Sequence, residues 1–454
     1  MLRAAGSRIV FEDGERFVSG DEMLSMIWRV AGGLRSDGIV AGDGVVLRLG
    51  VNPEALAAIM GAFVVGARVS GVRDQVLPAD AGSMLIDDER VNMWMKGLDN
   101  PQEPAGRPRD IARVLWTSGS TGAPKGCCQT YASMSAAWAA HPDRWPPAVR
   151  SLAARLQRYL VFGSLSSQVM LEYGVLTLAA GGTMVAARPP GFPDAIVRHR
   201  ATASVITVGK LNQLVRDQCA KPADLSSLRA LLVSGSPLPP GRLREALDVL
   251  GPVVFHGYGQ TETGMIAMLT PDEMTPSALD SVGRPPVHVD VRDGEIYVRT
   301  PAQASSYWND PEETAAVFVD GWVRTRDLGA LGNDGLLRLT GRARDVIIVH
   351  AELVYAGAVE RVLVTDPAVA EAYVVGRPDE TTGESVHAYV VPAPASTPDV
   401  PALTHLVAET LGDSAAPSTV TVIDHVPLAP SGKPDKQALA GEQPTPGRPP
   451  VRRP

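Results

Sequence analysis

Residues 116–126 read WTSGSTGAPKG, with three glycines, four hydroxyl side chains and one lysine within eleven residues. The apolar residues 111–116 before it are typical of a buried strand, and the Ala-rich residues 128–140 after it predict a helix. Glycine backbones and four hydroxyl side chains can donate hydrogen bonds to an anion, and Lys125 adds a point charge suited to phosphate. The pattern therefore predicts a strand–loop–helix cradle for phosphate, with a plain glycine-rich surface turn as the alternative.

The spacing of this loop differs from that of the nucleotide-binding P-loop, G-x-x-x-x-G-K-[ST]. Almost residue for residue, it resembles instead the signature loop of the AMP-forming adenylating enzymes. That superfamily comprises acyl- and aryl-CoA synthetases, peptide-synthetase adenylation domains and luciferases. The resemblance implies that the phosphates of ATP bind to Thr117, Ser118, Gly119, Ser120, Thr121, Gly122 and Lys125.

Composition narrows the classes of protein that the chain can belong to. Its 454 residues suffice for two or three domains, and 45% hydrophobic with 20% charged residues is typical of a soluble globular protein. The formal net charge of −8 argues against a nucleic-acid partner. The adjacent Cys127 and Cys128 and the distant Cys219 match neither a disulfide framework nor a metal site. Without a membrane-spanning run or a recognisable secretory signal, we predict a reduced, cytoplasmic protein that has no membrane partner.

Strand and helix patterns alternate along much of the chain. Strands are predicted at residues 45–49, 203–208 and 230–233, and helices at residues 21–34 and 53–66. Such alternation is typical of an α/β protein with a mostly parallel sheet.

Two further segments resemble parts of the adenylating family. Residues 42–69 resemble its early segment, and the stretch from there to the phosphate loop is shorter than usual, which predicts a trimmed N-terminal part. Residues 281–301 alternate with period two around an Asp293-Gly294 turn, which predicts a hairpin. This hairpin resembles the small barrel-like subdomain of the family.

The pocket for the acid is implied to lie in the strand and helix predicted at residues 158–174. CoA ligases usually place a histidine there, and amino-acid-activating domains place an aspartate. This chain has neither, and a buried ammonium without a carboxylate would be costly, so an aryl or small acyl acid is favoured over an α-amino acid. In the alternative interpretation, the serines and the glutamine merely cap and face a helix. The pocket residues implied are Gly163, Ser164, Ser166 and Gln168.

The nucleotide and metal sites follow from the segments SGSP and YGQTE, residues 234–237 and 258–262. The flat ring of Tyr258 suits stacking on adenine, Thr261 can hydrogen-bond the α-phosphate, and the Glu262 carboxylate suits Mg²⁺. The resemblance places adenine against Gly235, Ser236, Pro237, Gly257, Tyr258 and Gly259.

Three sites near the predicted domain boundary are implied by the resemblance alone. Asp327 occupies the position that accepts both ribose hydroxyls, although Arg326 replaces the usual glycine before it and could reach a phosphate. Arg342 is implied to contact the nucleotide, and Arg344 occupies the hinge position. A lone aspartate in a turn is otherwise most often a simple turn former.

The remaining site residue lies near the end of the chain, in PLAPSGKPDKQAL. The resemblance assigns Lys433 to bridge the attacking carboxylate and the α-phosphate, where it stabilises developing charge. By its own pattern, a lysine in such a loop is solvated. His350-Ala351 replaces the paired small residues that open a pantetheine tunnel in CoA ligases, which leaves the acceptor open.

These observations predict a multi-domain α/β protein: a large N-terminal domain of βα-layered sheets with a small barrel-like subdomain, and a smaller, mobile α+β C-terminal domain. The predicted limits are residues 1–340 and 341–440, followed by a Pro- and Arg-rich disordered tail at 441–454.

Three functions are compatible with the motifs. The favoured one is an ATP- and Mg²⁺-dependent ligase that activates a carboxylic acid as an acyl-adenylate and passes it to a thiol of coenzyme A or a carrier protein. The second is an adenylating enzyme with another acceptor, which forms an amide or activates nitrite for diazotisation. The third is a non-catalytic nucleotide-binding relative, which is disfavoured because Lys125, Glu262, Asp327 and Lys433 are all present.

Overall fold

The computed structural model describes residues 1–71, 83–117, 125–187, 191–343, 345–350, 352–429 and 434–441. Several residues with predicted roles lie outside these ranges, and their roles stay predictions. They are Ser118, Gly119, Ser120, Thr121, Gly122, Arg344, Ala351 and Lys433.

The strands run through the whole described chain. In chain order they are β1 (Ile9–Asp13), β2 (Arg16–Ser19), β3 (Gly44–Arg48), β4 (Arg68–Gly71), β5 (Met84–Asp87), β6 (Ile111–Thr117), β7 (Lys125–Thr130), β8 (Arg158–Val161), β9 (Thr183–Ala186), β10 (Ala203–Thr207), β11 (Ala230–Ser234), β12 (Val254–Gln260), β13 (Gly264–Leu269), β14 (His288–Arg292), β15 (Glu295–Arg299), β16 (Ser306–Tyr307), β17 (Phe318–Val319), β18 (Trp322–Leu331), β19 (Leu337–Arg342), β20 (Val346–Val349), β21 (Glu352–Tyr355), β22 (Val369–Asp379), β23 (Gly383–Pro392) and β24 (Thr419–Val422).

Helices lie between many of these strands, and side-chain caps begin several of them. Ser19 forms a capping box with Glu22, and Asn52 caps a helix whose first residue is proline. The α-helices are α1 (Leu2–Ala5), α2 (Gly20–Ser36), α3 (Pro53–Val65), α4 (Asp88–Trp94), α5 (Tyr131–Ala136), α6 (Pro147–Ala153), α7 (Gln168–Ala179), α8 (Asp194–His199), α9 (Val208–Ala220), α10 (Pro240–Leu250), α11 (Pro311–Val317), α12 (Ala356–Leu363), α13 (Val400–Leu411) and α14 (Lys436–Ala440).

Two large sheets build the N-terminal part. One has the order β13-β12-β11-β10-β8-β9-β1-β2, and the other has the order β16-β7-β6-β4-β3-β5. Most of their pairs are parallel, as predicted. The antiparallel pairs lie toward the ends of the sheets, at β1–β2 and β12–β13 in the first and at β6–β7 and β16–β7 in the second. Helices pack on these sheets and bury extensive apolar cores, which is the expected α/β layering.

Two smaller sheets complete the fold. The predicted hairpin around Asp293-Gly294 is β14–β15, and it extends into an antiparallel sheet with β18, β17 and β19. Strands β20 to β24 form a separate sheet that shares its own apolar core with α12 and α13. The predicted fold class, a large α/β N-terminal part with a smaller α+β C-terminal part, is confirmed.

The helix predicted for residues 128–140 is confirmed in part: Tyr131–Ala136 form α5, whereas the first three residues of the predicted range lie in a strand. Residues Lys125–Thr130 form strand β7, which pairs antiparallel with β6, and the helix begins only after the capping residue Thr130. Cys127 and Cys128 are fully buried in this strand, because a small apolar thiol suits a sheet interior, whereas Cys219 at the end of α9 is exposed. The phosphate loop therefore connects two strands, and the helix of the predicted strand–loop–helix order begins one strand later.

Candidate active site

Asp327, itself buried, is the centre of a polar cluster between β12, β18 and β19. One carboxylate oxygen, Oδ2, accepts hydrogen bonds from the hydroxyl of Tyr258 at 2.6 Å and from the amide of Gln260 at 2.6 Å. The other, Oδ1, accepts one from Nε of Arg342 at 2.8 Å. Three residues that the sequence assigns to the nucleotide thus meet at one point. Asp327 lies in a ten-residue strand rather than in the turn that its neighbours suggest.

Burial and charge fix the protonation states in this cluster. Burial raises the pKa of Tyr258, and the neighbouring Asp327 carboxylate raises it further. Burial opposes the charge of Arg342, but Asp327 and Asp345 outweigh it and raise the pKa of the guanidinium. Near neutral pH, Tyr258 is consequently a neutral donor and Arg342 is a cation.

Glu262 belongs to a second polar cluster of the site, separate from the one around Asp327. Its Oε1 accepts a hydrogen bond of 2.5 Å from the hydroxyl of Tyr307, and the pKa of Tyr307 is raised by burial and by this carboxylate. Within the described residues, no group of three or more His, Cys, Asp or Glu side chains could hold a metal ion. A single hard carboxylate fits Mg²⁺ that takes its other ligands from phosphate and water, as this ion usually does. Thr261 is the half-buried residue before it.

Lys125 meets a carboxylate that sequence reasoning missed. Its Nζ lies 2.6 Å from Oε1 of Glu313 on α11, and Arg326 forms two hydrogen bonds with the same carboxylate. Lys125 also lies 5.8 Å from the centroid of the Tyr307 ring. The predicted phosphate lysine and the predicted metal ligand are therefore neighbours, linked through Tyr307.

The predicted adenine residues lie at the ends of neighbouring parallel strands. Gly235 follows β11 with φ 95°, a left-handed conformation that favours glycine, and Ser236-Pro237 continue toward α10. Gly257, Tyr258 and Gly259 belong to β12, and a Cβ on Gly259 would collide with the carbonyl oxygen of Gly264. The tight β12–β13 pairing explains this last glycine without a ligand, so adenine contact there stays a prediction.

The predicted acid-pocket residues lie between β8 and α7. The hydroxyls of Ser164 and Ser166 are 2.7 Å apart, and Gly163 has a left-handed φ of 83°. The amide of Gln168 lies beside Gly264, which brings the start of α7 to the YGQTE segment. Ser167 caps α7 through its hydroxyl, so the capping alternative holds for that residue.

Two charged residues near this pocket, Arg113 and Glu172, were missed by sequence reasoning. Arg113, in the middle of the apolar strand β6, donates to the carbonyl oxygen of Ser166 at 2.9 Å. Burial lowers the pKa of Arg113 to about 10, and burial raises the pKa of Glu172 on α7 to about 7 against the opposing charge of Arg113. The arginine inside the sequence IARVLW was the one local signal for this pair.

The C-terminal part holds one further charged cluster. Lys436 lies 2.8 Å from Oε1 of Glu360 and 3.4 Å from Oδ2 of Asp345. Burial opposes the charge of Lys436, but the two carboxylates outweigh it and raise its pKa. Lys436 thus links the segment that follows Lys433 to the segment that follows Arg344.

None of the described helices is long and apolar enough to cross a membrane.

Comparison with known proteins decides the family. The sequence model of the AMP-binding enzyme matches residues 75–308, and that of the AMP-binding enzyme C-terminal domain matches residues 358–433. The chain belongs to the AMP-binding enzyme family. The resemblance inferred from the sequence motifs is therefore confirmed.

Two CoA ligases are among the proteins whose sequences resemble this chain. The medium/long-chain-fatty-acid–CoA ligase FadD8 of Mycobacterium tuberculosis is 32% identical over 355 residues, which are 73% of this chain and 61% of that protein. The indoleacetate–CoA ligase of Aromatoleum aromaticum is 29% identical over 480 residues, with 92% of each chain covered.

Among solved structures, the amide bond synthetase McbA from Marinactinospora thermotolerans superposes with a TM-score of 0.82. It is 32% identical, and the match covers 97% of this chain and 98% of McbA. The family thus includes proteins named for thiol acceptors and proteins named for amide formation.

Proposed function

We propose that this chain is an ATP-dependent, AMP-forming ligase that activates an aryl or small acyl carboxylic acid and passes it to a thiol. The single observation that carries the proposal is the convergence of Tyr258, Gln260 and Arg342 on Asp327, in a chain of the AMP-binding enzyme family. A carboxylate with two lone-pair-rich oxygens in a buried site suits the two hydroxyls of a ribose.

In the first half-reaction, a carboxylate oxygen of the acid attacks the α-phosphorus of ATP. The bond from that phosphorus to the bridging oxygen breaks, pyrophosphate leaves, and an acyl-adenylate forms. Such a reaction depends mainly on positioning and on stabilisation of charge. Asp327 would hold the ribose, Lys125 the outer phosphates, and Thr261 and Lys433 the region of the α-phosphate.

Glu262 would hold Mg²⁺, which neutralises phosphate charge when bound. Tyr307 donates to Glu262 and so fixes the direction of its carboxylate. The hydroxyl remains protonated because its pKa is raised, and it therefore orients the oxygen without competing for the cation.

In the second half-reaction, a nucleophile attacks the acyl carbon and displaces AMP. We propose a thiol of coenzyme A or a carrier protein as acceptor, following the names of the CoA ligase relatives. We also propose residues 1–340 and 341–440 as the two domains, with the second one rotating about Arg344 between the half-reactions.

An amine is the second candidate acceptor, and two observations favour it. McbA, named an amide bond synthetase, matches 97% of this chain at 32% identity. His350, at the position where CoA ligases commonly place a small residue, has a left-handed φ of 51° and is exposed.

Acid-dependent ATP–pyrophosphate exchange tests the adenylating half-reaction without any acceptor. We expect exchange with benzoates, cinnamates or short acyl acids, and none with α-amino acids. The variant Lys433→Ala, which keeps the ATP site, should lose exchange. Exchange that persists in this variant would contradict the role of Lys433, and addition of coenzyme A, carrier protein or amines would then identify the acceptor.

A further inference from the structure

Two cations from distant parts of the chain meet on one carboxylate beside the phosphate loop. Lys125, the first residue of β7, lies 2.6 Å from Oε1 of Glu313. Arg326, in β18, donates to Oε1 at 2.7 Å and to Oε2 at 3.0 Å. All three side chains are at most one-fifth exposed, so solvent screens the charges weakly.

The charges in this cluster do not balance. Burial opposes ionisation of Glu313, but hydrogen bonds from Arg326 and Lys125 outweigh it and lower the pKa of the carboxyl group. One negative charge therefore faces two positive charges that lie within two hydrogen-bond lengths of each other. A second, compact anion beside them would remove the repulsion between the cations.

The N–H donors of Arg326 that remain unused also favour a second anion at this cluster. An arginine has five N–H donors and a lysine has three. Arg326 donates two hydrogen bonds to Glu313, and among the described residues no other group accepts a hydrogen bond from its side chain. Glu313 thus orients the guanidinium while leaving donors for a further ligand.

The backbone at Arg326 adds an independent observation. Its φ of 59° lies in the left-handed region that favours glycine, although it stands inside an extended strand. The amide of Ala343 donates to the carbonyl oxygen of Arg326 at 2.8 Å, which helps to hold this conformation. A non-glycine residue in this conformation costs backbone energy, which indicates that the arginine side chain has a function there.

We propose that Arg326 is a further phosphate-binding residue, which contacts the outer phosphates of ATP together with Lys125, and that Glu313 orients both cations. This inference rests on the proposed function, since it adds to the same nucleotide site. No covalent step is assigned to Arg326. It binds the triphosphate and the pyrophosphate that leaves.

A purely structural pair would look like the one formed by Arg324 in the same strand. Arg324 binds Glu295 in a comparable two-pronged pair, with distances between 2.8 and 3.0 Å. No second cation is bonded to Glu295 among the described residues, and its partner Arg324 is more exposed. Arg324 is therefore the matched control.

The experiment compares Arg326→Gly with Arg324→Gly in the full chain. Isothermal titration would give the affinity for ATP, pyrophosphate and AMP, each with Mg²⁺. Glycine is chosen because the backbone at 326 favours it, so folding should be preserved, which a melting curve checks. We expect Arg326→Gly to weaken binding of ATP and pyrophosphate at least tenfold and binding of AMP less than twofold. Arg324→Gly should leave all three within twofold.

A third variant, Arg326→Lys, restores the charge without the two-pronged geometry. It should recover at least part of the lost pyrophosphate affinity, because a lysine suits phosphate as a point charge. If Arg326→Gly weakens AMP as much as ATP, or weakens neither, or if the lysine variant recovers nothing, the inference fails. In each case wild-type ATP binding would leave the proposed function standing. Failure of the wild-type chain to bind ATP or pyrophosphate would overturn both.

Discussion

Asp327 and Glu371 are both buried carboxylates that receive three polar side chains, yet their surroundings differ. Asp327 is 4% exposed, and its partner Arg342 has half of its side chain in solvent. Glu371, in β22, accepts hydrogen bonds from Asn212 at 2.7 Å and Tyr373 at 2.6 Å, and it lies 3.2 Å from Arg242.

The two carboxylates differ in whether a ligand can replace one of their partners. The side chains of Arg242 and Glu371 are each 9% exposed, and they join helices α9 and α10 of the N-terminal part to the C-terminal sheet. This contact, the joint between the two parts, is almost closed to solvent, and it has to open when the C-terminal part rotates as proposed. The half-exposed Arg342, in contrast, can turn away from Asp327 when other hydrogen-bond donors arrive.

The largest effect is expected for the joint. Glu371→Ala removes one of the two carboxylates that pair with the buried Arg242, which keeps Glu245 at 2.8 Å. The free energy of unfolding should therefore fall by about 3 kcal/mol, the lower end of the usual penalty for breaking a buried ion pair. Urea unfolding would measure it. Glu371→Gln keeps the shape and should cost less, and equal stability of Glu371→Ala and wild type would contradict the joint.

Next in size is the effect of Asp327→Ala on activity. Loss of the carboxylate should lower kcat/KM for ATP about 100-fold, or about 2.7 kcal/mol, while stability changes by about 1 kcal/mol because Arg342 can reach solvent. Exchange kinetics and urea unfolding, run side by side, would check this. A fall in stability as large as that of Glu371→Ala would remove the distinction between the two carboxylates.

His256, two residues before Tyr258, extends the comparison to a buried group without a countercharge. Burial lowers its pKa to about 4, against a backbone hydrogen bond at Ser281 that works the other way. Between pH 6.5 and 4 the unfolded chain therefore binds more protons than the folded one, and stability falls as the pH falls. From pH 7 to 5, wild type should lose about 2 kcal/mol more than His256→Asn does. Parallel pH profiles of equal slope would contradict this.

The smallest effect is expected for Tyr258→Phe. Removal of one of three hydrogen bonds to Asp327 should raise KM for ATP about tenfold, since a hydrogen bond to a charged group contributes about 1.5 kcal/mol. The aromatic ring remains in this variant. A fall of kcat/KM for ATP by more than 100-fold would therefore indicate that Tyr258 does more than orient Asp327. Steady-state kinetics at saturating acid would distinguish the two.

Much of the fold followed from local sequence patterns. Apolar runs predicted strands such as β6, and the Asp293-Gly294 turn predicted β14–β15. The order of the motifs identified the family and placed Tyr258, Asp327 and Arg342 in one site, and the structure brings these three together.

What the sequence did not predict depends on contacts between distant segments. The last three residues of β7 were assigned to the following helix because the Ala-rich continuation favours helix locally, whereas pairing with β6 decides the outcome. Glu313 and Glu371 find their cations on other elements, and Asn212 and Glu371 are 159 positions apart. No local periodicity signals such a pair.

The exposed thiol of Cys219 gives a practical consequence. Cys127 and Cys128 are buried, and burial raises the pKa of each, so neither forms a reactive thiolate readily. A maleimide dye should therefore attach to the wild-type chain at Cys219 alone. That dye would stand on α9, the helix that carries Asn212, and its fluorescence would report whether the C-terminal part leaves this helix during turnover.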